Sequence, residues 1–172
     1  SGISLALRVG YALPMGESSK GVKMSDSGYK AAIPFTFDAI YKFSPSLGAG
    51  IYASYASVTL NKDKTSADSA SWLKYGAQLR YYTGDLFLGY GIGVEKVTLK
   101  YSGGEGSVSG LELAHLIAGY NFYNADKLKV GAFGDFSYGQ YSKIEAGGAS
   151  ADITDKAAHQ WLYLGINGQY DL

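Results

Sequence analysis

The sequence predicts an all-β fold, an eight-stranded antiparallel up-and-down transmembrane β-barrel with four long loops at one end and three short turns at the other. Three observations predict it. Apolar residues recur with a period of two along nearly the whole chain. The 172 residues include 16 Tyr, 7 Phe, 2 Trp and 24 Gly, and only 17% are charged. Average soluble proteins have roughly 25% charged residues and ~7% Gly. The links between alternating segments are long and short by turns. No shift of composition divides residues 1–172, so a single domain is expected.

The first strand reads Ile3, Leu5, Leu7, Val9, Tyr11, Leu13 on one face and Ser4, Ala6, Arg8, Gly10, Ala12 on the other. The second sets Ile33, Phe35, Phe37, Ala39, Tyr41, Phe43 against Pro34, Thr36, Asp38, Ile40, Lys42. The third carries Leu47, Ala49, Ile51, Ala53 and Tyr55 on its apolar face. The fourth sets Leu73, Tyr75, Ala77, Leu79, Tyr81 against Trp72, Lys74, Gly76, Gln78, Arg80. The fifth sets Leu86, Leu88, Tyr90, Ile92, Val94 against Phe87, Gly89, Gly91, Gly93, Glu95. The sixth has the weakest pattern, with Ala114, Leu116, Ala118, Tyr120, Phe122 opposite His115, Gly119 and Asn121. The seventh sets Leu128, Val130, Ala132, Gly134, Phe136, Tyr138 against Lys129, Gly131, Phe133, Asp135, Ser137. The eighth sets Leu162, Leu164, Ile166, Gly168, Tyr170, Leu172 against Trp161, Tyr163, Gly165, Asn167, Gln169, Asp171. Polar stretches at 15–30, 61–71, 102–110 and 143–157 are the expected long loops. Residues 44–46, 83–85 and 123–127 are the expected short turns.

Alternation also suits a water-soluble calyx, so the direction of the apolar face has to be argued. Eight strands enclose a lumen just wide enough for side chains to fill. The bulky apolar face would overfill it, whereas the Gly-, Ser- and Ala-rich face with its few charges would not. Aromatic residues gather toward strand ends, with Tyr41, Phe43, Tyr81, Phe122 and Tyr170 at one end. Tyr11, Phe35, Phe37, Tyr55, Tyr75, Phe136 and Tyr138 gather at the other. Membrane–water interfaces select two such belts around an aliphatic band. Apolar surface on every strand would be a large exposed patch in water, but a closed barrel in lipid requires it.

The net charge is zero, which argues against a nucleic-acid partner, since nothing would neutralise a run of phosphates. There are no cysteines, hence no disulfide framework and no thiolate metal site. No run of ~18 apolar residues marks a transmembrane helix, a test to which barrel strands are blind. The opening Ser1-Gly2-Ile3 reads as a mature or trimmed start.

With these faces and connections the chain resembles the small eight-stranded outer-membrane barrels, the OmpA transmembrane domain, OmpX and their relatives. The resemblance covers the whole chain and rests on topology and patterning. The ending from Leu164 to Leu172 resembles the C-terminal signal of such barrels, though it closes on Leu where an aromatic is usual. The resemblance implies the cell outer membrane, a bilayer with lipopolysaccharide around the barrel, an assembly machinery that reads the last strand, and long loops outside the cell.

The inward charges are Arg8, Lys42, Lys74, Arg80 and Lys129 against Asp38, Glu95, Asp135 and Asp171. A lone buried charge is costly, so these are expected to pair, Arg8 with Asp38 first because both fall mid-strand on neighbouring strands. The expected result is a lumen plugged by ion pairs and aromatic rings; an ion or proton path opened by exchange of partners is the alternative. His115 and His159 lack the His-x-Ser pattern of outer-membrane deacylases, so no catalytic residues are assigned, and neither a metal nor a cofactor is implied. Gly89, Gly91 and Gly93 precede no helix and no Lys-Ser/Thr, so they read as room for an aromatic ring from across the lumen, not as a phosphate loop. The loops carry both signs of charge and form the one large surface for an extracellular ligand.

The expected function is a non-catalytic envelope protein with structural or surface-binding duties. The alternative is a transporter passing small hydrophobic molecules through a lateral opening, as in the OmpW family, whose first strand the run Leu7–Pro14 resembles. The charged lumen departs from that family's apolar one.

Overall fold

The structure, a computed structural model, describes residues 2–172. Eight long strands form a ring: β1 (Gly2–Ser19), β2 (Tyr29–Lys42), β3 (Leu47–Leu60), β4 (Ser69–Thr83), β5 (Leu86–Tyr101), β6 (Gly104–Ala125), β7 (Leu128–Ala146) and β8 (Ala158–Asp171). Each pairs antiparallel with the next, and β8 returns to pair with β1, so the sheet closes on itself. Closure leaves no edge strand and satisfies the ladder without water, as a hydrocarbon surrounding demands.

The predicted faces point as a membrane barrel requires. Leu7 is 52% exposed, Ile51 62% and Leu79 61%, while Arg8 and Asp38 are fully buried. Tyr11, Phe35, Tyr41, Phe43, Tyr55, Tyr75, Tyr81, Phe122, Phe136, Tyr138 and Tyr170 all lie on the outside. A water-soluble barrel would have these faces reversed.

The connections differ from expectation at one end. The stretch 102–110 is not a long loop: Tyr101 pairs with Gly104, and β5 and β6 meet in a tight hairpin through Ser102 and Gly103. The stretch 143–157 is shortened likewise, since β7 runs on to Ala146 and Ala149–Asp152 folds back to pair with it. In the first loop β1 continues to Ser19, and Val22–Lys23 turns back against it. These extensions lack a greasy face because they stand beyond the apolar band, so period-two hydrophobicity fades where the strand continues. The short turns are as expected in place: the first is one residue longer, at 43–46, and the other two are shorter, at 84–85 and 126–127, with positive φ at Gly84 (58°) and Asp126 (52°).

The sixth strand's weak pattern has a physical cause. A β-bulge lies between Glu112 and Ala114, so Glu112 and His115 both point inward across one extra residue, Leu113. Leu111 and Leu113 face out before the bulge, Leu116 and Ala118 after it. The bulge sits in the apolar band and interrupts the ladder there. On the lipid side, the Tyr90 hydroxyl donates to the Leu113 carbonyl at 3.1 Å. A phenol in mid-band is thereby explained by the backbone irregularity beside it.

The lumen is filled. Its outer half holds Trp72 and Trp161, edge to face at 4.8 Å, with Tyr29, Val58 and Val97 packed around them. Met24 and Ala67, from the first and second loops, are buried in the same cluster.

Candidate functional site

The middle of the lumen is a chain of charged groups running from wall to wall. Thr36 stands across from Arg8 in the β1–β2 register, and Asp38 is paired with the small Ala6. Arg8 therefore reaches Asp38 diagonally, with Nε 2.7 Å from Oδ2 and Nη2 3.1 Å from Oδ1. Its Nη1 donates to Asp135 on β7 at 2.7 Å. The guanidinium also lies over the Phe133 ring, 5.2 Å from its centroid.

Asp38 is held from the other side as well. Gln78 Nε2 donates to it at 2.7 Å, and the Arg80 guanidinium stands 3.3 Å away. Arg80 Nε in turn donates to Gln78 Oε1 at 2.9 Å. Gly89, the partner of Arg80 across the β4–β5 ladder, leaves room for that side chain: a Cβ there would lie 3.0 Å from Arg80 Nε.

From Asp135 the chain passes to His115, whose Nε2 faces Asp135 Oδ2 and whose Nδ1 is 2.7 Å from Glu112 Oε1. Only the doubly protonated ring donates an N–H to each carboxylate. Glu112 also accepts the Tyr52 hydroxyl at 2.6 Å and lies 3.2 Å from Lys74 Nζ. Lys74 stands 3.6 Å from Glu95, its partner in the β4–β5 ladder, and donates to Ser137 at 3.3 Å. Glu95 lies 2.6 Å from His159 Nε2. The order is thus Arg80, Asp38, Arg8, Asp135, His115, Glu112, Lys74, Glu95, His159, with cations or imidazoles alternating with carboxylates throughout. With Tyr52 counted on β3, every strand of the ring contributes.

Glycines make the space. A Cβ at Gly93 would sit 2.7 Å from the Tyr52 hydroxyl, and one at Gly139 would sit 2.6 Å from Glu95 Oε1. The expected aromatic ring is Tyr52, from β3 two strands along the wall and not from across the lumen, and it lies against Gly91 and Gly93, while Gly89 makes room for Arg80 instead. The void left within the chain of charges is about 10 Å³, bordered by Lys74, Glu112, His115 and Asp135.

Of the charges assigned from sequence, Arg8, Asp38, Lys74, Arg80, Glu95 and Asp135 meet in this chain. Lys42 and Lys129 do not; they flank Asp171 at the turn end of the barrel, at 3.1 and 3.3 Å, partly open to solvent. Glu112 was missed because it lies on the far side of the bulge that reverses the parity of β6, between the expected loop at 102–110 and Ala114, the first residue assigned to that strand. The outward switch from Leu111 and Leu113 to Leu116 is the signal that exposes it. His115 and His159 are both buried members of the chain.

No protein-family model and no curated protein matches the sequence. Solved structures do match in fold. Neisserial surface protein A superposes with a TM-score of 0.59 at 12% identity, over 97% of this chain and 96% of that one. The outer membrane protein AlkL, solved in lipid bilayers, superposes with a TM-score of 0.57 at 13% identity, over 100% of this chain and 90% of the other. At such identities the likeness speaks for the fold, which these proteins share from end to end. The closed eight-strand ring, its apolar exterior and these neighbours together make the chain an outer-membrane β-barrel by fold.

Proposed function

We propose that the protein is a non-catalytic outer-membrane barrel with a closed lumen, serving a structural or surface-binding role through its loop end. The observation that carries this reading is the uninterrupted chain of nine charged or imidazole groups, with about 10 Å³ of free space beside it. A cavity of ~10–15 Å³ by this measure holds about one water, so the gap takes at most a single water and supports no water column. The aromatic rings at the strand ends then anchor the barrel at the two interfaces, the surrounding lipid includes lipopolysaccharide, and the last strand engages the assembly machinery.

Lateral passage of small hydrophobic molecules is the second reading. An apolar dent of about 520 Å³ in the lipid-facing wall, bordered by Leu88, Leu116, Ala118, Gly134 and Phe136, favours it. The dent abuts Asp135, whose carboxylate is bound to Arg8 and His115, so an apolar solute moving inward meets a desolvated ion cluster.

Planar-bilayer recording of the purified barrel tests the closed lumen. The expected trace has no sustained openings; steady currents on the nanosiemens scale would refute it. Uptake of a hydrophobic dye into vesicles carrying the barrel, above the rate of empty vesicles, would favour lateral passage instead.

A further inference from the structure

The loop end of the barrel holds a cup of about 460 Å³ lined by none of the nine buried charged or imidazole groups, though the ring of its Tyr141 stacks on His159 at 4.0 Å. This volume lies in the range of small-molecule sites, ~300–1,000 Å³. Three tyrosines, Tyr29, Tyr101 and Tyr141, contribute to its lining, drawn from the ends of β2, β5 and β7. Leu99, Val108 and Ile153 supply apolar wall between them. The charged residues of the lining are two, Asp152 and Asp155, both exposed on the fourth loop, and neither Lys nor Arg contributes.

Neither acid is in an ion pair among the described residues. Lys143 is paired with Asp152 in the strand register, yet its ammonium lies 3.4 Å from Glu145 instead. Lys20 meets Asp155 through the backbone, its N–H donating to the Asp155 carbonyl at 3.0 Å. Tyr141 is buried, and its hydroxyl has no hydrogen-bond partner among the described residues. A buried donor without a partner is a deficit that a ligand or an ordered water corrects.

Tyrosine rings beside carboxylates, in a cup whose remaining lining is aliphatic or hydroxyl-bearing and holds no cationic side chain, favour one ligand class. Aromatic faces attract cations through their quadrupole, and the attraction grows as the site excludes water. A carboxylate pair adds charge selectivity, and the aliphatic wall adds affinity for an apolar body. We propose that this cup is a binding site for a small organic cation, an alkyl- or arylammonium molecule approaching from the loop side. The proposal deepens the surface-binding reading and rests on it for the direction of approach. It does not depend on the closed lumen, since the cup opens at the loop end and none of the nine buried groups lines it.

Isothermal titration of the full chain in zwitterionic nanodiscs tests it, with phenyltrimethylammonium as the probe, benzenesulfonate as the anionic counterpart and empty nanodiscs as the blank. One saturable site of submillimolar Kd is expected for the cation and none for the anion. The double variant Asp152→Asn/Asp155→Asn and the single variant Tyr101→Leu should each weaken the cation about tenfold. Their thermal midpoints by circular dichroism should equal the parent's, since these residues are exposed. No saturable binding below ~10 mM, equal binding of benzenesulfonate, or an unchanged Kd in both variants would overturn the proposal. Any of these results leaves the bilayer recordings, and so the closed lumen, where they stood.

Discussion

Arg8 is fully buried and donates to carboxylates from two different strands, Asp38 on β2 and Asp135 on β7. Removing it leaves Asp38 with Arg80 alone and Asp135 with His115 alone as counter-charge, two desolvated acids each short of a hydrogen-bonded partner. Arg8→Ala should lower barrel stability by about 3–5 kcal/mol, read as a shift of the urea midpoint in detergent or vesicles. Arg8→Lys should recover little of it, because a single ammonium cannot span two carboxylates with a planar fork. An unchanged midpoint in the alanine variant would remove the network from the account of stability. The inward direction of these side chains follows from period two alone. Their partners do not: Asp38 is close to Arg8 in sequence pattern, but Asp135 arrives from 127 residues away because the ring closes.

In β6, the extra residue Leu113 puts Glu112 and His115 on one face and leaves a backbone carbonyl in the apolar band for the Tyr90 hydroxyl. Tyr90→Phe should therefore destabilise the barrel by about 1–3 kcal/mol, the range for stranding a polar group away from water. Tyr120→Phe, on the same outer surface, serves as the control and should be near neutral; equal effects of both would detach Tyr90 from the bulge. Deleting Leu113 should do more. It restores strict alternation with Glu112 and His115 still on the inner face, one residue apart, but removes the bulge that presents the Leu113 carbonyl to Tyr90 and shifts the register of the rest of β6. The variant should fold into vesicles with lowered stability, and Tyr90→Phe should become near neutral in it; an undiminished Tyr90→Phe effect would detach Tyr90 from the bulge. The hairpin at Ser102 and Gly103 offers the opposite case. A short epitope inserted there should leave folding intact and be accessible from the loop side, since the turn is exposed and lies beyond the apolar band.

The whole molecule holds both tryptophans, Trp72 and Trp161, inside the cylinder, packed on each other and on Tyr29. Their fluorescence should be quenched weakly by brominated lipid, whereas a Phe35→Trp variant, facing outward, should add a strongly quenched component. Strong quenching of the parent would mean that the faces are reversed. The long strands also bring the loops together: the Lys20 N–H meets the Asp155 carbonyl at 3.0 Å, and Asn61 N–H the Gly28 carbonyl at 2.8 Å. These contacts between loops far apart in sequence build the tyrosine-lined cup, of which the loop composition carries no trace.

Alternation with a bulky apolar face on all eight strands was enough to establish a barrel with lipid outside and charge within, because a period of two assigns every side chain to one of two faces. It was also enough to name six of the nine members of the buried chain. What it lacked was phase and closure. A single bulge hid Glu112, the polar extensions of β1, β6 and β7 passed for loops, and Lys42 and Lys129 were grouped with charges that lie at another height. Those matters depend on register around a closed ring, where each strand's vertical position is set by its two neighbours and by the return of β8 to β1. No local pattern contains that information.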